Sequence, residues 1–367
     1  MYQRKISSDH LTVTTITGFA PEIDGLAARN LSGHGFLRRA WFSAGGTRHA
    51  RTLLLQATDG TPLAAIPTTA FGPPIAGARK VPGSYWPLRS PLIAPECTVF
   101  ELAQALEHAA SRSLGPVWRI GPARTDDPTI ALITAAAQLA NWTVLARPAG
   151  TSWVIDLETA RNQGWPRPST AKRLAKAERR LANLGAVSWR HVRGKDWNED
   201  VLDQLAAVEA ASWVARATDG SGAKFMAPHQ RAIWRTALAD PVLAEHLCAT
   251  MLTIDGRAVA FSFDLDDGPV QYGIAGTYMT DFGKYEVGKL ANYRAVSDSI
   301  ADGQSVMDLG VGDSGYKEEM GAVAGYHMTD LLFVRSSAAA LMLSRGWGEA
   351  LVPDSLSSLA LREVEGG

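Results

Sequence analysis

The sequence predicts an α/β protein built as two halves, each a mixed sheet flanked by helices, and three observations carry that expectation. Short alternating apolar runs joined by Asp-Gly turns recur with amphipathic helical stretches in both halves. Near the C-terminal end a strand, a polar loop, a helix and a second strand follow one another, the pattern of a parallel βαβ unit. At 367 residues and 46% hydrophobic composition the chain is long for one domain and has ample core for two. The expected halves are residues 1–160 and 161–367, with a basic helix over 169–184 linking them.

In the first half, Leu11 to Ile16 alternates like a strand and Glu22 to Leu31 reads as a short helix, while the aromatics of Phe36 to Phe42 fit a core. Arg51 to Ala57 and Pro62 to Thr68 flank Asp59-Gly60 as a hairpin. The Pro- and Gly-rich run from Phe71 to Pro95, around Tyr85, Trp86 and Arg89, reads as a surface loop, or as one wall of an acceptor cleft. Val99 to Ser113 and Pro128 to Ala140 are helical; Val117 to Ile120, Trp142 to Ala146 and Ser152 to Leu157 are strands.

In the second half, Ser169 is an N-cap candidate for a helix closed by Gly185. On a helical wheel Lys172, Arg173, Lys176, Arg179 and Arg180 share about 120° of arc, with Leu174, Ala177, Leu181 and Leu184 opposite. Such a face is either simply solvated or a seat for anions: CoA phosphates, a nucleotide-linked acceptor or an acidic membrane surface. Val201 to Val214 and His229 to Leu238 are helical, with Gly220-Ser221-Gly222 a flexible connector or lid between them. Leu247 to Ile254, Ala258 to Asp264 and Val270 to Tyr278 form a meander turned at Asp255-Gly256 and Asp266-Asp267-Gly268. Gly288 opens a helix with apolar residues Leu290, Tyr293, Val296 and Ile300, Gly303 stops it, and Ser305 to Leu309 is the next strand. A short helix follows Val334.

The chemistry concentrates between Leu247 and Tyr326. A helix N-terminus after a strand collects backbone N–H groups and the positive end of the helix dipole, which suits a pyrophosphate. Gly283 to Lys289 fits G-x-x-x-x-G-K, but Leu290 stands where a nucleotide triphosphatase needs a hydroxyl for Mg²⁺; what remains is a phosphate cradle from Gly283, Lys284, Gly288 and Lys289. Gly310-Val311-Gly312-Asp313-Ser314-Gly315 fits a dinucleotide fingerprint with too little chain after it to build that sheet. The same Gly312-Asp313-Ser314-Gly315 echoes a serine-protease loop without the disulfides or double barrel that go with it. Past the strand end come Asp308, Asp313, Tyr316 and Lys317: two carboxylates, a phenol and an ammonium at the edge where parallel sheets bind ligands.

At these residues the sequence resembles the CelD-like (BioF-type) acetyltransferases, relatives of the FemAB aminoacyltransferases within the GNAT superfamily. Lys172 to Arg180 followed by Gly185 looks like that family's R-x-x-x-K-A-x-x-x-G segment, Ile254 to Phe261 like its L-x-G-x-x-V-A-F hairpin, and Met307 to Gly310 with Gly312-Asp313 and Tyr316-Lys317 like its F-D-F-x-x-G-D-x-x-Y-K. Glu209 and Trp213 follow its H/E-x-x-x-W pattern, and Phe36 to Phe42 with Leu63 to Pro67 resembles its N-terminal half. The resemblance implies two tandem GNAT-like (acyl-CoA N-acyltransferase) subdomains. One departure stands out: Glu286-Val287-Gly288 replaces the family's common Ser-Pro-Gly and puts an acid beside the phosphate cradle.

Acyl transfer from a thioester to an amine needs a base, oxyanion donors and an acid for the thiolate, and no covalent nucleophile. The base candidate is Asp313 or Asp308; Lys317 would pair with a carboxylate or stabilise developing charge. The GNAT resemblance implies an oxyanion contact from a backbone N–H of Val270 to Tyr278 and Tyr316 as the acid. Structural alternatives stay open, with Asp308 capping a turn and Tyr316-Lys317 starting a helix. Lys172, Lys176, Arg180, Glu209 and Trp213 are the substrate-binding candidates. The expected donor is acyl-CoA, or an acyl carrier protein, and the acceptor an amine of an envelope building block, with peripheral contact to an anionic membrane as a further option. Net charge of −1 argues against a nucleic-acid partner, two cysteines and scattered histidines against a metal or disulfide framework, and the polar N-terminus for a cytoplasmic protein. A FemAB-like enzyme using aminoacyl-tRNA and a non-catalytic binding module of the same fold are the alternatives.

Overall fold

The computed structural model describes residues 11–83, 88–217, 222–312 and 315–351. They form two compact units, one from the residues up to 150 together with those from 326, the other from 151–325. In chain order the elements are β1 (Leu11–Thr17), α1 (Glu22–Ala27), α2 (Arg39–Ala44), β2 (Arg51–Ala57), β3 (Pro62–Ala70), β4 (Arg79–Lys80), β5 (Leu92–Ile93), α3 (Val99–Glu107), β6 (Val117–Arg124), α4 (Pro128–Leu139) and β7 (Thr143–Asp156). Then come α5 (Leu157–Gln163), α6 (Pro168–Leu181), β8 (Val187–Arg193), α7 (Glu199–Ala210), α8 (Trp213–Ala217), α9 (Pro228–Leu238), α10 (Pro241–His246), β9 (Leu247–Ile254), β10 (Arg257–Asp267), β11 (Val270–Tyr278), α11 (Val287–Ala301), β12 (Val306–Val311), α12 (Tyr316–Glu319), β13 (Val323–Val334), α13 (Ser337–Trp347) and β14 (Glu349–Ala350).

In the first unit β1, β2, β3 and β4 pair antiparallel in order, β4 joins β6 in parallel, and β6 pairs antiparallel with β13. Asp59 makes the β2–β3 turn by accepting from the Thr61 N–H at 2.8 Å. Helix α3 is started by a reciprocal Thr98–Glu101 capping box, and α4 by Asp127 with Pro128 in the first turn. Trp118 stacks on Phe333 at 4.3 Å in the core. Asp330 is buried and held by both Arg119 (2.7 and 2.8 Å) and Arg147 (3.0 and 2.7 Å), so one carboxylate ties β13 to β6 and β7.

In the second unit the order is β7, β12, β11, β10, β9, β8, antiparallel except for the parallel β11–β12 pair. One face carries Phe225, Trp234, Phe261 and Phe263, whose rings meet edge to face or tilted at 4.7 to 6.1 Å. Tyr293 and Val296 of α11 pack with Ile155 and Met307 in a second cluster. Both cysteines are buried and unbridged, and burial pushes the Cys97 thiol up to about 12.

Several expectations are corrected by packing. The two strands expected around residues 142–157 are one strand, β7. The helix expected over 99–113 breaks at His108, whose extended backbone leads into a 3₁₀ turn at Ala109–Leu114. Arg167, not Ser169, is the N-cap of α6, because Pro168 takes the first helical position. Strand β13 has no counterpart in the sequence reading, since its partner β6 is remote in sequence. Among the described residues no helix is long and apolar enough to cross a membrane.

Candidate functional site

The parallel ladder of β11 and β12 runs through Val270–Val306, Gln271–Met307 and Tyr272–Asp308 and ends there. Both strands continue, β11 against β10 as far as Tyr278 and β12 against β7 as far as Val311. The two strands therefore part, and α11 begins at the far end of the loop that leaves β11. Gly273 occupies the fork: a Cβ there would come within 3.2 Å of the Asp308 carbonyl oxygen.

Asp264 faces this fork. It pairs with Gly273 across the β10–β11 ladder, just after a register shift at Phe263/Asp264, and is 1% exposed. Its Oδ1 accepts from Ser262 Oγ at 2.9 Å, and its Oδ2 has no hydrogen-bond partner among the described residues. Burial pushes the carboxyl up to about 7, with Asp298 adding to the rise and hydrogen bonds from Ser262 and Gln271 opposing it. A carboxyl that changes charge near neutrality suits a general base. In the sequence Asp264 is only a polar residue at the end of a predicted strand; the signal that marks it is a carboxylate on the buried face of that strand.

Tyr316 opens α12 and is 37% exposed. Burial, and then the Asp264 charge, pushes its phenol above the usual range. Asp308 is buried and accepts from Ser152 Oγ and from Gly310 N (2.6 Å), which is the turn-capping alternative. The Lys317 ammonium is also buried and donates to the carbonyls of Gly310 (2.8 Å) and Gly312 (2.6 Å), holding the loop after β12. Asp313 lies outside the described residues.

The anion-binding candidates come together beside this fork. Helix α11 starts at Val287 rather than Gly288; Glu286 is its N-cap, at φ 59°, and gives no side-chain cap to the helix. The Glu286 carboxylate lies 3.9 Å from Arg173 Nε, so its charge is balanced from α6. Arg173 also donates to Glu319 (3.2 Å), which Lys289 Nζ grips through both oxygens (2.7 and 2.8 Å). Arg180 reaches the Lys284 carbonyl at 3.4 Å, and its guanidinium lies 5.5 Å from the Tyr285 ring centre. Lys172, Lys176 and Arg179 are exposed on the same helix. Gly288 and Gly283 have a reason the sequence did not reveal: a Cβ would lie 2.5 Å from the Tyr278 ring at Gly288 and 3.3 Å at Gly283. The glycines make room for a neighbouring side chain.

The remaining two candidates serve a different place. Glu209 is buried and accepts the N–H groups of Lys224 (2.8 Å), Phe225 (2.7 Å) and Met226 (3.0 Å), so its carboxylate anchors a loop; burial nonetheless pushes its pKa up. Trp213 opens α8 and is 52% exposed. Ala211 before it accepts from Thr280 N and Oγ1 (3.0 and 2.8 Å), which ties this corner to the start of the loop between β11 and α11.

Comparison with known proteins agrees with this topology. Residues 168–318 match the family model described as an acetyltransferase (GNAT) domain. Among solved structures, FemX aligns at 11% identity with a TM-score of 0.57, over 89% of this chain and 98% of that one. The C-terminal domain of a putative lysylphosphatidylglycerol synthetase from Agrobacterium fabrum aligns at 13% identity and 0.54, over 90% and 98%. L-PGS from Bacillus licheniformis aligns at 14% and 0.51, over 89% and 96%. A search of curated protein sequences returns no match. The fold is α/β, with mixed sheets flanked by helices in both units, and residues 168–318 of the second unit carry the GNAT-domain match.

Proposed function

We propose that the chain is an acyl-CoA-dependent N-acyltransferase acting on an amine of an envelope building block, such as an amino sugar or an amino lipid. The observation that carries this reading is the parting of β11 from β12 at Tyr272–Asp308, with a carboxyl of near-neutral pKa at the fork and the uncapped start of α11 beside it. In this reading the donor pyrophosphate lies against the first turn of α11, with the basic face of α6 alongside. The thioester lies between the strands, its developing oxyanion taking a backbone N–H from the Ile274–Tyr278 stretch of β11. Asp264 removes a proton from the acceptor ammonium, the freed amine attacks the thioester carbonyl, and Tyr316 protonates the departing thiolate. The reaction is taken to be cytoplasmic, where CoA thioesters are available.

A second reading, an aminoacyltransferase fed by aminoacyl-tRNA, draws support from the exposed Lys172, Lys176, Arg179 and Arg180 and from the fold shared with FemX. Thermal denaturation separates the two. CoA at a hundred times its dissociation constant should add about 2.7 kcal/mol to stability, and bulk tRNA should add nothing. Absence of a CoA shift together with a tRNA-dependent product would replace the first reading by the second.

A further inference from the structure

The first unit holds a cleft of about 400 Å³ between the β2–β3 sheet edge, the 71–79 loop and the turn that enters β6. Arg48, Arg51, Arg79 and Arg112 line it, and none of its lining residues is acidic. Arg79 is the fixed element: it is 6% exposed and donates from Nε to Thr68 Oγ1 (2.8 Å) and from Nη2 to the carbonyls of His49 (2.6 Å) and Thr68 (2.9 Å). Ser113, also lining the cleft, buries a hydroxyl that has no hydrogen-bond partner among the described residues. Beyond these and His49 the walls are apolar, from Phe71, Pro73, Pro74 and Pro116. Gly115 packs directly on the Gly77 carbonyl, which fixes the loop against the turn.

We propose that this cleft is a second ligand site, for a phosphate ester whose anionic group meets the arginines and Ser113 and whose uncharged part lies along the proline and phenylalanine wall. Gathering like charges without a carboxylate is costly in the free protein, and a bound anion relieves it. Arg79 is pushed down to about 10, first by burial and then by the Arg51 charge beside it. The volume suits a small ligand. The same loop carries Ile75 at 99% exposure. The phosphate is therefore that of a soluble ester or of a phospholipid headgroup, and Ile75 distinguishes the two by entering a bilayer in the second case. The site is independent of the proposed acyl transfer.

The test is run in the Lys172→Glu/Lys176→Glu/Arg180→Glu protein, so that the basic face of α6 does not contribute. Binding of inorganic pyrophosphate by calorimetry and of phosphatidylglycerol vesicles by cosedimentation, with phosphatidylcholine vesicles as control, is compared before and after Arg48→Ser/Arg112→Ser. Both arginines are exposed, so folding, checked by circular dichroism, is retained; Ser113→Ala repeats the test by removing only a hydroxyl. The expected result is a loss of about tenfold or more in affinity. Loss for pyrophosphate alone identifies a soluble ester. Loss for vesicles, accompanied by weaker vesicle binding in Ile75→Ser, identifies a headgroup. Equal binding by the parent and both arginine and serine variants overturns the proposal.

Discussion

Asp264 stands across the β10–β11 ladder from Gly273, where a Cβ would lie 3.7 Å from Asp264 Oδ1 and 3.2 Å from the Asp308 carbonyl oxygen. This contact puts a buried carboxyl at the point where β11 and β12 separate. It gives Asp264 a linked effect on stability and on reactivity.

Its folded pKa of about 7 lies above the ordinary 3.8, so the folded protein holds the proton longer than the unfolded chain. Stability from this group is therefore greatest below about 3.8, falls as pH rises toward 7, and is level beyond. Asp264→Asn should melt higher than the parent at pH 8 and lose that advantage at pH 4, while turnover drops about a hundredfold or more. A variant with parental turnover would remove Asp264 from the mechanism.

Ser262→Ala takes away a hydrogen bond that lowers the Asp264 pKa. The acid limb of the rate profile should move to higher pH, with the rate well above it little changed. A profile that keeps its midpoint would show that the limb belongs to another group.

Tyr316→Phe should reduce kcat by about tenfold or more and leave donor KM nearly unchanged, because a proton donor acts in the transition state. Steady-state kinetics across the pH range decides this. Near-parental kcat throughout would leave Tyr316 only as the first residue of α12.

Gly288→Ala drives a methyl group against the Tyr278 ring, 2.5 Å from the nearest ring carbon. Overpacking of this kind costs about 1 to 3 kcal/mol, read by urea denaturation. Adding Tyr278→Ala should recover much of that loss. Failure of the double variant to recover would mean that Gly288 is required for a reason other than the tyrosine ring.

Asp330→Asn leaves Arg119 and Arg147 without their shared carboxylate. Loss of about 3 kcal/mol is expected, mostly through Arg119, since Arg147 keeps more contact with water. A change below about 0.5 kcal/mol would show that the cations find other partners.

Local sequence patterns determined much of this protein. Leu247–Ile254, Val270–Tyr278 and Arg51–Ala57 have the bounds that alternation and Asp-Gly turns predict, because strand periodicity and turn chemistry are properties of neighbouring residues. The basic face of α6 was legible for the same reason, since all its cations lie on one helix. The parallel strand pair around α11 was legible too. Tertiary structure alone decided which residues meet. Glu209 became a loop anchor through bonds to Lys224, Phe225 and Met226, and Glu286 acquired Arg173 from a helix far away in sequence. Asp264 became the fork carboxyl only when β10, β11 and β12 were side by side, because its raised pKa comes from burial, and burial is set by the elements that pack around a residue rather than by its sequence neighbours.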